Sequence, residues 1–172
     1  IYASADLGLR LWDLLWEAGR PYGVLAGGRG AFNALRVEKG YRAWGTDMTT
    51  EHDPYEAGLG FAVKPDKGDF VGREALLKRK EAGPRRKLVC LVLDDPNVVV
   101  MGNEPVWADT AVGYVTSADF GYSLGQSIAY AWVTPEHAEV GNPLEIEYFG
   151  VRHPATVTEE PLFDPAMKRM RA

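Results

Sequence analysis

The residues best suited to contact a ligand lie between positions 38 and 61, where aromatic and acidic side chains are interspersed. We call residues 38–61 the aromatic–acidic segment, and its sequence is EKGYRAWGTDMTTEHDPYEAGLGF. The segment is too polar for an ordinary core strand and too aromatic for a simple connecting loop. Aromatic faces can stack on a flat ligand, and polar groups beside them can fix its orientation. The segment is therefore a candidate wall of a binding site.

The acidic residues of this segment are better suited to structure than to catalysis. Asp47 and Glu56 are expected to hold the loop by accepting hydrogen bonds from backbone amides, and Thr49 and Thr50 are expected to act similarly. Glu38 is expected to pair with an arginine rather than to act as a base.

Composition and charge exclude several other kinds of site. The chain has 172 residues, of which 46% are hydrophobic and 25% charged, as is typical of globular domains. Its net charge is −5 and it has no long run of Lys and Arg, so nucleic acid is not an expected partner. No apolar stretch reaches the roughly 20 residues that cross a bilayer, so no membrane partner is expected.

The single cysteine and the histidines do not form a disulfide or a metal pattern. Cys90 lies in the apolar run KLVCLVL, and it is predicted to be a buried strand residue rather than a nucleophile. His52, His137 and His153 are far apart in sequence and lack the spacing of metal ligands. No metal site is predicted.

The first half of the chain has the periodicity of helices. Apolar residues recur on one stripe of a first helix, which Ser4 or Asp6 is predicted to cap and Gly19 to end. A second helix is predicted over residues 28–39 and a third over residues 72–83, each followed or closed by glycine.

Three polar residues, Arg29, Asn33 and Arg36, fall on one face of the second helix. Their spacing alone favours a solvated face, and a ligand-facing role is the alternative. The glycines that precede them, in AGGRG, lack the Gly-Lys-Ser/Thr ending of a phosphate loop, so no nucleotide site is predicted.

The second half of the chain has the pattern of short strands. From Lys87 onward, β-branched and aromatic residues occur in short runs separated by turn residues. Hairpins are predicted around Asp109 and Gly150, and this spacing favours a small antiparallel barrel. Gly113 and Gly121 lie beside aromatic residues and are expected to permit tight bends.

Two motifs are specific enough to indicate a family, namely ALRVEKGYRAWGTDMTTEHDPYEAGLGFAV and, downstream, FVGREALLKRK. They resemble the folate-dependent aminomethyltransferase family, whose best-known member is the T-protein of the glycine cleavage system. The resemblance implies an α+β fold: a partial helix and strand folate-binding domain followed by a small antiparallel β-barrel. Residues 1–83 would be the C-terminal portion of the folate-binding domain, and residues 84–172 the barrel.

Three stretches carry a closer resemblance, namely LRVEKGYRAWGTDM, AVGYVTSADFGYSLGQSIAYAWV and EPLFDPAMKRMR. They are similar to the C-terminal parts of the dimethylglycine oxidase, dimethylglycine dehydrogenase and sarcosine dehydrogenase group of flavoproteins. In that group an N-terminal FAD domain oxidises an N-methyl amine, and the T-protein-like part passes the one-carbon unit to tetrahydrofolate. The resemblance therefore implies tetrahydrofolate as the ligand, FAD on an N-terminal domain of the same polypeptide, and a cytoplasmic location, or the mitochondrial matrix in a eukaryote.

The resemblance also implies which groups this chain lacks. The chain begins at Ile1 in what reads as the end of a strand, and the family's catalytic aspartate and folate-binding glutamate correspond to positions upstream. No catalytic residue is predicted here, and the fragment alone is expected to be inactive. The folate-side candidates are Arg29, at the arginine of the family's G-A-R-D turn although Gly30 replaces the aspartate, and Tyr41 and Trp44 as an aromatic wall.

Two other functions stay open at this point. One is a non-enzymatic folate-binding or interaction module of the same superfamily. The other is a barrel that binds oligonucleotides, which Glu145, Glu147 and the net negative charge disfavour. Arg152 could reach a folate tail, but a surface role is the favoured interpretation.

Overall fold

The computed structural model describes residues 1–171. The chain divides into two compact units, Ile1–Phe32 and Asn33–Ala172. The helices are α1 (Gly8–Gly19), α2 (Arg29–Glu38), α3 (Arg73–Ala82) and α4 (Lys168–Arg171). The strands are β1 (Lys87–Leu93), β2 (Pro105–Trp107), β3 (Ala111–Gly121), β4 (Gln126–Val133), β5 (Pro143–Tyr148) and β6 (Val151–Thr158). The predicted combination of helices with a small antiparallel barrel is confirmed.

The first unit contains α1, with a 3-10 turn on each side. The predicted helix is present, but its predicted cap is wrong: no side chain caps the N-cap positions, which are Ser4 before the first turn and Leu7 before α1. Asp6 lies inside that turn. Gly19 has a right-handed φ of −82°, and the left-handed residue is Gly23, with φ 72°, at the end of the second turn.

Helices α2 and α3 match the predicted helices to within one residue at each end. After α2, Gly40 takes a φ of 75°, the left-handed conformation that ends a helix without a steric penalty when the residue is glycine. Gly72 precedes α3 with a φ of 89°, and no side chain forms a cap hydrogen bond at this end of the helix.

The six strands form a closed antiparallel barrel in the order β1–β4–β3–β2–β5–β6. Strands β2 and β3 form the predicted hairpin around Asp109, and β5 and β6 form the one around Gly150. Closure pairs each of these strands on both sides, which removes the open edges on which sheets aggregate.

Strand β1 is buried on both faces, which explains its unbroken apolar sequence. Leu91 is fully buried in the interior of the barrel, whereas its neighbour Cys90 faces a second apolar cluster on the opposite face. That second cluster joins α2 and the aromatic–acidic segment to the outside of the barrel. Its buried members are Val37, Ala57, Leu88, Cys90, Ile128, Tyr130 and Trp132.

Gly113 of β3 serves close strand packing rather than a tight bend, whereas Gly121 begins the tight turn that was expected, because its carbonyl oxygen accepts the N–H groups of Leu124 and Gly125 at 3.0 and 2.7 Å. A Cβ at Gly113 would lie 1.8 Å from the backbone oxygen of Trp132, and one at Gly121 would lie 2.7 Å from the side chain of Ile128. Gly113 lies within the strand and Gly121 is its last residue, and at both positions the absence of a side chain leaves room for β4.

Candidate functional site

The aromatic–acidic segment is fastened to helix α2 by a buried ion pair. The Nη1 atom of Arg36 lies 2.5 Å from Oδ2 of Asp47, and the two side chains are 8% and 1% exposed. The backbone N–H of Ala43 donates to the same oxygen at 2.7 Å. The amide role predicted for Asp47 is therefore confirmed, whereas the solvated face favoured for Asn33 and Arg36 is wrong: Asn33 is half-buried and also bonded to Arg36.

The barrel supplies the remaining partners of Asp47. The hydroxyls of Thr116 and Ser117 donate to its Oδ1 atom at 2.6 and 2.5 Å. The indole N–H of Trp132 donates to its backbone oxygen at 2.9 Å. Every oxygen of this residue thus accepts a hydrogen bond, which compensates the cost of burying its charge.

Glu56 holds the second half of the segment, as predicted. Its carboxylate accepts the backbone N–H groups of Asp53 at 3.3 Å and of Arg85 at 3.2 Å, and the Arg85 guanidinium at 3.3 Å. Burial raises the pKa of Glu56, but these hydrogen bonds outweigh burial, so that the pKa lies below its usual value. Thr49 acts similarly, because its hydroxyl accepts the backbone N–H of Glu51 at 3.2 Å.

The predicted partner of Glu38 is wrong. Its side chain is 1% exposed, and it accepts the backbone N–H of Ser123 at 2.7 Å instead of pairing with an arginine. Its other carboxylate oxygen has no hydrogen-bond partner among the described residues.

A cavity of about 510 Å³ opens between the aromatic–acidic segment and residues 159–167, which we call the C-terminal strap. Tyr41 and Phe61 give it aromatic surface, and Met48 and Pro161 are among its apolar residues. The full lining is Lys39, Gly40, Tyr41, Arg42, Met48, Gly58, Leu59, Phe61, Glu160, Pro161, Pro165 and Met167.

Both cations of the lining are engaged by other groups of the protein. Arg42 pairs with Glu160 and donates to the carbonyl oxygen of Ala57 at 3.1 Å, and Lys39 donates to the carbonyl oxygen of Asp164 at 2.5 Å. Burial lowers the pKa of Arg42, but the hydrogen bond and charge of Glu160 outweigh burial and raise it. The cavity therefore offers aromatic and apolar walls beside neutralised charges.

The three folate-side candidates differ in their surroundings. Tyr41 lines the cavity and is 51% exposed, whereas Trp44 is 68% exposed and is not among the lining residues. Arg29 belongs to the first unit and is exposed at the start of α2. Phe61 and the C-terminal strap were not predicted to line this cavity, although Phe61 belongs to the aromatic–acidic segment.

His52 is a structural residue of the segment. Its ring stacks on Trp132 with centroids 4.2 Å apart, and its Nδ1 accepts the backbone N–H of Thr49 at 3.0 Å. Burial and, after it, the nearby charge of Arg86 lower the pKa of His52. The neutral ring is the form that this arrangement favours.

Arg152, the other residue considered as a folate contact, lies on the surface of the barrel. Arg152 pairs with Glu145 at 3.3 Å and lies 4.1 Å from the centre of the Trp107 ring, so it is a barrel-surface residue. Within residues 1–171 no group of three or more His, Cys, Asp and Glu side chains could hold a metal ion. The same residues contain no helix long and apolar enough to cross a membrane.

Two family models match the chain. The glycine cleavage T-protein C-terminal barrel domain matches residues 86–164, and the GCVT N-terminal domain matches residues 1–67. Among solved structures, the glycine cleavage system aminomethyltransferase T of Bartonella henselae superposes with a TM-score of 0.81 and 26% identity. The match covers 92% of this chain and 44% of that one.

Curated relatives are longer than this chain. Human mitochondrial dimethylglycine dehydrogenase is 39% identical over 99% of this chain, which spans 20% of that protein. The 4-methylaminobutanoate oxidase (formaldehyde-forming) of Paenarthrobacter nicotinovorans is 38% identical over 99% of this chain, which spans 21% of it. The aminomethyltransferase of Symbiobacterium thermophilum is 40% identical over 98% of this chain, which spans 45% of it.

Proposed function

We propose a folate-dependent role for this chain, which belongs to the glycine cleavage T-protein family. Its role is that of the tetrahydrofolate-binding, aminomethyltransferase-like region of a longer FAD-dependent enzyme that oxidises dimethylglycine, sarcosine or another N-methyl amine. Relatives named dimethylglycine dehydrogenase and 4-methylaminobutanoate oxidase support the oxidative part of this proposal. The region passes the released one-carbon unit to tetrahydrofolate and gives 5,10-methylenetetrahydrofolate.

The observation that carries the proposal is the cavity between the aromatic–acidic segment and the C-terminal strap. Its volume of about 510 Å³ falls in the range of small-molecule sites. Tyr41 and Phe61 offer ring faces, and Met48 and Leu59 offer apolar surface, to a flat ligand such as a reduced pterin or its aromatic linker.

Each folate-side candidate has a distinct role in this proposal. Tyr41 forms the wall of the cavity against which a ring of the ligand packs, and Trp44 extends the aromatic surface beyond it. Arg29 binds the anionic glutamate tail or a pterin carbonyl, because its planar donor fork suits both groups.

The proposed organisation follows the predicted boundaries. Residues 1–83 contribute the C-terminal portion of the folate-binding domain, and residues 84–172 form the barrel that supports it. The FAD site and its domain belong to the N-terminal part of the same polypeptide. We place the protein in the cytoplasm, or in the mitochondrial matrix of a eukaryote, as for the human relative that is named mitochondrial.

The chemistry expected of this region is positioning rather than bond making. Tetrahydrofolate supplies the nitrogen atoms that take up the one-carbon unit. The residues of this chain bind and orient it, and a large part of the rate of such a transfer comes from holding two reactants in a reactive geometry. We assign no catalytic residue to the chain, and we expect it to form no product alone from dimethylglycine or sarcosine and tetrahydrofolate.

Isothermal titration of the chain with tetrahydrofolate tests the proposal. We expect saturable binding, and we expect Tyr41→Ala to raise the Kd about tenfold, since loss of one ring contact costs about 1 kcal/mol or more. The matched control is Tyr122→Ala, which removes a 78% exposed tyrosine that does not line the cavity and should leave the Kd unchanged. Absence of binding to the wild-type chain, or equal effects of the two variants, would contradict the proposal.

A further inference from the structure

An extra residue in strand β3 turns two hydroxyl groups toward the aromatic–acidic segment. The pairing of β3 with β4 shifts between Val115, opposite Ala131, and Ser117, opposite Tyr130, so that Thr116 is the inserted residue of a β-bulge. In a regular strand the side chains of two successive residues point to opposite faces of the sheet, and a bulge removes this alternation locally. As a result Thr116 and Ser117 reach the same carboxylate oxygen of Asp47.

The contacts of Asp47 extend to the backbone of Tyr41. The Nη1 atom of Arg36 donates both to Asp47, at 2.5 Å, and to the carbonyl oxygen of Tyr41, at 3.2 Å. The backbone N–H of Tyr41 in turn donates to the carbonyl oxygen of Arg36 at 2.9 Å. The Tyr41 backbone is therefore held at its carbonyl oxygen by the guanidinium of Arg36 and at its N–H by the backbone of Arg36.

A second contact on β3 holds the same guanidinium. The Nε atom of Arg36 donates to the side-chain oxygen of Asn33 at 2.9 Å, and the side-chain nitrogen of Asn33 donates to Asp119 at 2.7 Å. Arg36 is thus oriented from two points of one strand, the bulge and Asp119, which fixes both its position and its plane.

We propose that the β3 bulge and Asp47 are positioning elements of the cavity, which hold Tyr41 in place through Arg36. The proposal rests on the proposed function of the cavity as the tetrahydrofolate site. A buried ion pair gains little net stability, because desolvation offsets much of the attraction. What this one supplies is a fixed attachment to the barrel for a loop whose backbone forms turns and one isolated bridge but no helix or strand.

The test removes the two hydroxyls and preserves side-chain volume as far as possible, in the double variant T116V/S117A. One control, T116S, keeps the hydroxyl at position 116. The other, S127A, makes the same change as S117A at a fully buried serine of β4 whose hydroxyl has no partner among the described residues. Hydrogen exchange of amides 43–48 is the readout. In this range the N–H of Asp47 donates to the carbonyl oxygen of Ala43, and the N–H of Gly45 donates to that of Met48, each at 2.8 Å.

We expect T116V/S117A to exchange amides 43–48 faster than the wild type while the amides of β1 and β4 keep their protection. We also expect its Kd for tetrahydrofolate to rise about tenfold, because binding must then restore the loop order that the hydrogen bonds to charged Asp47 supply in the free chain. T116S and S127A should resemble the wild type in both measurements. If the double variant does not fold, S117A alone should show the same selective loosening to a smaller extent.

Unchanged exchange of amides 43–48 would overturn the inference, and so would equal loosening of the barrel strands, which indicates a general structural role. Faster exchange with an unchanged Kd would also overturn it, because the loop would then move without effect on the ligand. If the wild-type chain binds no tetrahydrofolate, the proposed function fails, and the selective exchange alone decides whether the bulge holds residues 43–48 in place.

Discussion

Arg42 and Glu160, which are 118 residues apart in sequence, form a two-armed ion pair across the mouth of the cavity. It joins the aromatic–acidic segment to the C-terminal strap. The backbone N–H of Phe163, which donates to the carbonyl oxygen of Glu38 at 3.0 Å, adds a second attachment. The cavity therefore exists only where the two ends of the second unit meet.

Glu160→Gln should weaken this attachment. We expect a loss of about 1 kcal/mol in the free energy of unfolding, because the partner is charged and Arg42 is largely buried, while Glu160 is 26% exposed to solvent. Urea unfolding measures it. The control Glu145→Gln, in a pair whose side chains are both 42% exposed, should change stability by less than about 0.5 kcal/mol. Equal losses in the two variants would show that the Arg42–Glu160 pair stabilises the fold no more than an exposed ion pair does.

His52 should make the stability of the second unit depend on pH. Its pKa is lowered in the folded state, so the unfolded state binds the proton more readily, and the contribution of His52 is present above the unfolded value of about 6.5. That contribution is lost as the pH falls through the lower folded pKa. Unfolding free energies between pH 5 and pH 8 should rise less steeply for His52→Gln than for the wild type, and parallel curves would contradict this account.

Gly113→Ala should be among the most damaging single substitutions in the barrel. Its Cβ would lie 1.8 Å from the backbone oxygen of Trp132, and no side-chain rotation can relieve a clash with backbone. We expect a loss of more than about 4 kcal/mol or failure to fold. Gly27→Ala, at a site where a Cβ meets nothing within 4 Å, is the control and should be nearly neutral. A soluble Gly113→Ala variant with wild-type thermal stability would refute the packing role of this glycine.

Cys90 should be chemically silent in the folded protein. Burial raises the pKa of its thiol to about 11, so the reactive thiolate is scarce at neutral pH as well as inaccessible. A chromogenic disulfide reagent at pH 8 should label it only after denaturant is added. Rapid labelling of the native chain would show that β1 opens more easily than its burial suggests.

Local periodicity and turn chemistry were sufficient to predict α2, α3, both hairpins and the barrel. These features depend on residues close in sequence, such as the left-handed Gly40 after α2 and the strand alternation of β5 and β6. The burial of Cys90 and the structural role of Asp47 could also be predicted from local sequence. An apolar run is usually a buried strand, and a carboxylate in a loop usually accepts hydrogen bonds from nearby backbone amides.

The rest depended on contacts between distant parts of the chain. Arg36 was predicted to be solvated, but it is buried in an ion pair with Asp47. The burial of Asp47 depends on two hydroxyl groups from a bulge in β3, and no local sequence pattern indicates that bulge. The carboxylate of Glu38 meets the amide of Ser123, and no helical spacing encodes this pairing. The second wall of the cavity comes from the C-terminal strap, which contains no helix or strand that a sequence pattern could have predicted.

A crystal structure of the chain, or of the full-length protein, with tetrahydrofolate bound would show directly where the ligand lies. We expect an aromatic ring of the ligand to pack between Tyr41 and Phe61 in the cavity beside the Arg42–Glu160 ion pair. A ligand bound elsewhere, with this cavity filled only by solvent at saturating tetrahydrofolate, would contradict the central claim.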